Sequence, residues 1–154
     1  MPAPIIRVID VPCSPDRAFA IFADMGSWWP LEKRSMSLYT AKAPAKSLTV
    51  EPRVGGQIVE TGADDARHHW GTFTAFAPPT HLQLDFHMGL PATKSGRVDV
   101  TFTATGANAT RVQLTHSHWE GYEDMADMMF NGYNSSWPML FDDAYAAACQ
   151  QSET

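Results

Sequence analysis

Cysteine is nearly absent from this chain of 154 residues. Its two copies, Cys13 and Cys149, lie near opposite ends and outside any Cys-x-x-Cys pair. That pattern argues against a disulfide framework and fits a reducing compartment. Charge is also sparse: 18% of residues are charged, with 11 Lys and Arg against 17 Asp and Glu, for a net −6. An acidic chain without a basic cluster has no electrostatic footprint for a phosphate backbone or an anionic bilayer, so neither nucleic acid nor membrane is expected as a partner. No apolar run approaches the ~20 residues of a membrane span. The opening Met1-Pro2-Ala3-Pro4-Ile5 carries neither the basic region nor the apolar core of a secretory signal. The expected location is the cytoplasm. Missing too are GxGxxG, a Walker loop, GxSxG and HExxH, and neither cysteine sits in a nucleophile context. The expectation is therefore no cofactor and no metal.

What is present is apolar and aromatic. Hydrophobic residues make up 44% of the chain, enough for a core, and the length suits one domain over residues 1–154. Five tryptophans mean that large flat surfaces must be buried or must line something. Ile5 to Val11 is β-branched and reads as a strand. Ser14-Pro15-Asp16 then carries three helix-start signals, a capping hydroxyl, a proline at the first position and an acid at the positive end. The helix bears Phe19, Phe22 and Ala23 and stops by Gly26, before Trp28-Trp29-Pro30. Residues 32–47 carry little pattern and read as a loop.

A run of strands follows. Leu48–Glu51 and Gln57–Thr61 flank the Gly55-Gly56 turn, and a strand from about His68 to Phe76 ends at Pro78-Pro79. Leu82, Leu84 and Phe86 alternate with Gln83, Asp85 and His87. Val98, Val100 and Phe102 alternate with polar neighbours, and Val112, Leu114, His116 and His118 share one face of the last strand. The tail is helical: a short piece near Glu123–Phe130, an interruption at Asn131-Gly132, then a second helix capped by Asn134 or Ser135 with Pro138 in its first turn. Trp137, Leu140, Phe141, Ala144, Tyr145 and Ala148 form its apolar face, with Asp142 and Asp143 read as solvated. Segregated strands and helices indicate an α+β fold in which a curved antiparallel sheet wraps a long C-terminal helix.

This order, together with several local strings, resembles the START-like (SRPBCC) superfamily, in the branch of the activator of Hsp-type chaperone ATPase homologues. The strings are Val11-Pro12-Cys13-Ser14-Pro15 with Phe19, Trp28-Trp29-Pro30, Glu51-Pro52-Arg53-Val54-Gly55-Gly56 with Glu60, Trp70-Gly71-Thr72-Phe73, Pro78-Pro79-Thr80-His81-Leu82, Thr110 to His116, and Trp137. The resemblance implies a helix-grip fold with a hydrophobic cavity between the sheet and the C-terminal helix. It also implies a family whose members bind lipids, hormones or polyketides, with some catalysing cyclisation, dehydration or hydrolysis.

Candidate site residues follow from facing and chemistry. His116 and His118, two apart, share the face that should meet the helix. They read as ligand donors, a general base or a metal pair, or more simply as one histidine bonded to a neighbour and one at the strand end near solvent. Glu60 shares a face with Ile58, where an inward carboxylate would be an acid or base. Arg53 would be its partner or a ligand anchor, or else half of a surface pair with Glu51. Trp28, Trp29, Trp70, Phe73, Phe86, Trp137 and Phe141 would wall a pocket or simply pack. Met125, Met128 and Met129 would form an adaptable lid hinged at Asn131-Gly132, or an ordinary apolar helix face. Trp119 is read as outward or past the strand end.

Three functions fit these residues. The first is binding of a small apolar or aromatic molecule in the cavity. The second is an enzyme, a cyclase, dehydratase or hydrolase, using the inward His and Glu. The third is an interaction module, either chaperone-associated or a homodimer, which would show a large exposed apolar patch.

Overall fold

The computed structural model describes residues 2–151. Strand β1 (Ile5–Val11) leads into helix α1 (Pro15–Ala23), whose Ser14 Oγ accepts a hydrogen bond from the Arg17 backbone N–H at 3.3 Å. A 3-10 turn over Met25–Ser27 and a short helix α2 (Ser37–Thr40) lie in the segment expected as loop. Six strands follow: β2 (Ser47–Val50), β3 (Gln57–Thr61), β4 (Arg67–Ala77), β5 (His81–Phe86), β6 (Gly96–Gly106) and β7 (Ala109–Ser117).

All neighbours pair antiparallel in the order β1-β7-β6-β5-β4-β3-β2. Register shifts at Ile58/Val59, Phe73/Ala75 and Ala104/Gly106 break the ladder. Such irregularities raise local twist and bend a sheet, and here the sheet curls into a half-barrel around the C-terminal helix. This is the expected α+β helix-grip fold.

The tail differs from expectation in one respect. Helix α3 (Ala126–Trp137) runs unbroken through Asn131-Gly132, and Pro138 opens a π-helical stretch (Pro138–Tyr145) that passes directly into α4 (Ala146–Gln151). A mid-helix glycine costs about 1 kcal/mol, which burial of Tyr133 and Trp137 one and five residues later outweighs. Proline lacks an N–H and crowds the carbonyl four residues back, and a wider π turn relieves both problems without a new N-terminus. Asp142 is also not simply solvated: it takes a two-pronged hydrogen bond from Arg7 of β1, with Nε to Oδ1 at 3.2 Å and Nη2 to Oδ2. Cys13 and Cys149 are both buried thiols.

The concave face of the sheet is filled by aromatic rings. Trp29 packs against Trp70 with ring centroids 4.9 Å apart, and Phe86 against Tyr133 at 5.6 Å. Phe141 stacks on Tyr145, whose hydroxyl donates to the Ala18 carbonyl at 2.7 Å and so ties the C-terminal helix to α1.

Candidate functional site

His116 is a fully buried polar group in the grip, and both its ring nitrogens are occupied. Trp137 Nε1–H donates to His116 Nδ1 at 3.0 Å. Since Nδ1 accepts, the neutral ring carries its proton on Nε2, which donates to Tyr122 Oη at 2.8 Å. Tyr122 in turn donates its hydroxyl proton to the Phe86 carbonyl at 2.8 Å. The chain of donors runs one way, from Trp137 through His116 and Tyr122 to the Phe86 carbonyl. Burial holds His116 down to about 3, so the ring is neutral at physiological pH. Trp119, past the strand end, stacks on it at 4.3 Å. Gly96 makes room for the relay: a Cβ there would come within 2.4 Å of the Tyr122 ring and 2.7 Å of its hydroxyl oxygen.

Glu60 is likewise committed. Its two oxygens accept from the Met36 N–H at 2.8 Å, the Ser37 N–H at 2.7 Å and Trp70 Nε1–H at 2.9 Å. It pins the segment 36–37 to the sheet. The other expected residues divide between core and surface. Trp28, Trp29, Trp70, Phe73, Phe86, Trp137 and Phe141 are buried against one another. Met125 packs on that core from the edge. Arg53 is exposed and paired with Glu51 at 3.4 Å. His118 does not continue the alternation: the strand ends at Ser117, and a φ of 64° turns His118 outward to pair with Glu120 at 3.0 Å. The structure therefore keeps His116, Glu60 and His118 apart, each with its own partners.

An open groove of about 400 Å3 lies beside this core. Its walls come from three places: Arg34 to Met36 and Tyr39, the connection His87–Leu90 after β5, and the face of α3 carrying Met128, Met129, Gly132, Tyr133 and Ser136. Arg34 Nε donates to Ser136 Oγ at 3.0 Å and bridges the first wall to the third. Gly89, at φ +92°, brings the second wall against Met36, where a Cβ would come within 2.9 Å of the thioether. Four methionines, Met36, Met88, Met128 and Met129, give the lining an adaptable apolar surface. Of the residues expected as ligand contacts or lid, Met128 and Met129 are in this lining.

Two residues of this lining carry polar atoms that lack partners. Ser35 Oγ and His87 Nε2 are buried without a hydrogen bond, although Ser35 is fully buried and His87 only 2% exposed. Desolvation holds His87 below the usual imidazole range, against the opposing pull of the Leu90 carbonyl. The strand pattern had set His87 beside Gln83 and Asp85 on the outer face. The chain instead turns inward after Phe86, with the His87 and Met88 N–H groups both on the Trp70 carbonyl at 2.8 Å. The one sequence signal for this turn is Gly89. Among the described residues, no group of three or more His, Cys, Asp or Glu could hold a metal ion, and no helix is long and apolar enough to cross a membrane.

The sequence over residues 12–143 matches the model of the activator of Hsp90 ATPase homolog 1-like proteins. The chain belongs to this family. Solved structures share its fold. The self-sacrificing resistance protein CalC from Micromonospora echinospora superposes with a TM-score of 0.69 at 20% identity, covering 98% of this chain and 96% of its own. The Aha1 dimer from Colwellia psychrerythraea gives 0.64 at 14% identity over 99% of both chains. An anthrahydroquino-γ-pyrone synthase gives 0.60 at 24% identity, over 84% of this chain and 87% of its own. No functionally curated protein matches the sequence.

Proposed function

We propose that this Hsp90-activator-like domain binds a small, largely apolar organic molecule in the methionine-lined groove between α3, the 34–39 segment and the His87–Leu90 turn. The observation that carries this reading is that Ser35 Oγ and His87 Nε2, two of the four buried side-chain atoms without a partner among the described residues, belong to residues that line the same groove. A buried polar atom left unpaired costs about 1–3 kcal/mol, and a ligand supplying the missing bonds recovers that cost. The volume lies within the ~300–1,000 Å3 of small-molecule sites, and an apolar lining with a few polar groups is their usual composition.

Catalysis has less support. His116 and Glu60 are hydrogen-bonded inside the core and do not line the groove, so they cannot supply the acid and base there. A protein partner is also less favoured. The large exposed apolar side chains are divided between β1 (Ile6, Val8), the turn at Val54 and the groove rim (Tyr39, Met128) rather than gathered in one patch.

The test is titration with the neutral fluorophore N-phenyl-1-naphthylamine, in the wild type and in Gly132→Trp. Position 132 lines the groove, and a Cβ there meets nothing within 4 Å, so the indole has room to occlude the site without disturbing the core. Saturable fluorescence enhancement in the wild type, lost in a variant with unchanged circular dichroism, is expected. Equal enhancement in both proteins would place the site elsewhere and sink the proposal.

A further inference from the structure

The orphaned ring nitrogen also specifies what the ligand must carry. His87 Nδ1 lies 2.6 Å from the Leu90 carbonyl oxygen. A carbonyl only accepts, so Nδ1 must hold a proton and donate it. In the neutral ring the remaining nitrogen, Nε2, is then a bare acceptor. It has no hydrogen-bond partner, its residue is 2% exposed, and its residue lines the groove. The ring is held in place from two sides. The Leu90 N–H donates back to the His87 carbonyl at 3.0 Å, and His69 packs edge-on at a centroid distance of 4.6 Å. His69 Nε2 is itself engaged with the Gly71 carbonyl at 2.8 Å, and so is unavailable to His87. This tautomer is therefore built into the turn before any ligand arrives.

We propose that the groove selects a neutral aromatic molecule bearing a hydroxyl group, with the ligand O–H donated to His87 Nε2. Ser35 Oγ, which can donate or accept, offers the second polar contact from the neighbouring wall. The rest of the lining points to the aromatic body: methionine sulfurs contact ring edges favourably, and Tyr39 and Tyr133 add flat faces. No carboxylate lines the groove, and the charged side chain that does, Arg34, already spends Nε on Ser136 and Nη1 on the Lys33 carbonyl. An acceptor-only ligand, such as an ether or ketone, would leave His87 Nε2 buried and unpaired. This inference rests on the groove being the binding site, and the experiment separates the two ideas.

The probes are 1-naphthol and 1-methoxynaphthalene, which share an aromatic body and differ in the one donor. Calorimetric titration of the wild type should show 1-naphthol binding about tenfold more tightly, the difference made by one buried hydrogen bond. Long-range 1H–15N spectra should show the His87 Nε2 resonance moving with 1-naphthol and staying with 1-methoxynaphthalene. In His87→Phe the two affinities should converge to within twofold. If that variant does not fold, the wild-type spectra decide alone. Equal affinity of the two probes, or an unmoved Nε2 resonance, overturns the hydroxyl selection and leaves the groove standing. Binding of neither probe, together with no uptake of N-phenyl-1-naphthylamine, overturns both.

Discussion

Acid should act on this fold through His116. In the native state its pKa is held down to about 3 by burial, against 6.5 for the free side chain. The unfolded chain therefore takes up the proton first. Stability from this residue is complete above pH 6.5 and is lost steadily as pH falls toward 3. Each pH unit in that window is worth about 1.4 kcal/mol, so the native state loses about 2 kcal/mol between pH 6.5 and pH 5 from this one ring. The clean comparison is His116→Gln, which cannot titrate. At pH 7 the variant is less stable by about 1–3 kcal/mol, because an amide cannot serve both Trp137 and Tyr122 with the ring's geometry. At pH 5 the gap should shrink by about 2 kcal/mol. The carboxylates and His87 titrate in both proteins and cancel in the difference. Urea unfolding at the two pH values measures the gap directly. A gap that stays the same would mean that His116 is not a buried neutral imidazole, and the relay through Trp137, His116 and Tyr122 would have to be abandoned.

Two further outcomes are expected. Glu60→Gln keeps the volume but turns an amide NH2 toward a backbone or indole N–H, so it should cost about 2–3 kcal/mol in urea unfolding. It should also weaken N-phenyl-1-naphthylamine binding, since Glu60 holds the Met36 wall, and full stability in the variant would contradict the anchoring role. Gly132→Ala should stabilise the domain by about 0.5–1 kcal/mol and raise its melting temperature by a few degrees, because α3 is continuous there and the added methyl meets nothing. A lowered melting temperature would mean that the helix breaks at this glycine after all.

Much of the fold was legible in the chain because it is written in short-range pattern. Period-two alternation at Leu82, Leu84 and Phe86, and at Val112, Leu114 and His116, marked the inner faces, and all six are buried. The sequence Ser14-Pro15-Asp16 marked the start of α1, where the cap bond forms. Inward placement of Glu60 and His116 followed from the same alternation. Their roles did not, since the partners that occupy them, Met36 and Ser37 for one and Tyr122 and Trp137 for the other, are 6 to 24 residues away in sequence.

Pattern stops being informative where the chain leaves regular structure. His118 and His87 each sit just beyond a strand, where one backbone angle decides which way a side chain points. The left-handed turn sent His118 to the surface, and the turn after Phe86 buried His87. The sequence by itself determined the elements, the curved sheet and the apolar stripe that closes on it, because these depend on contacts a residue or two, or one helical turn, apart. Only the tertiary structure decided that the aromatic side chains fill the interior and that a methionine-lined groove opens beside them. The groove is assembled from residues 34–39, 87–90 and 128–136, and its unpaired atoms are defined by what three distant segments fail to offer one another.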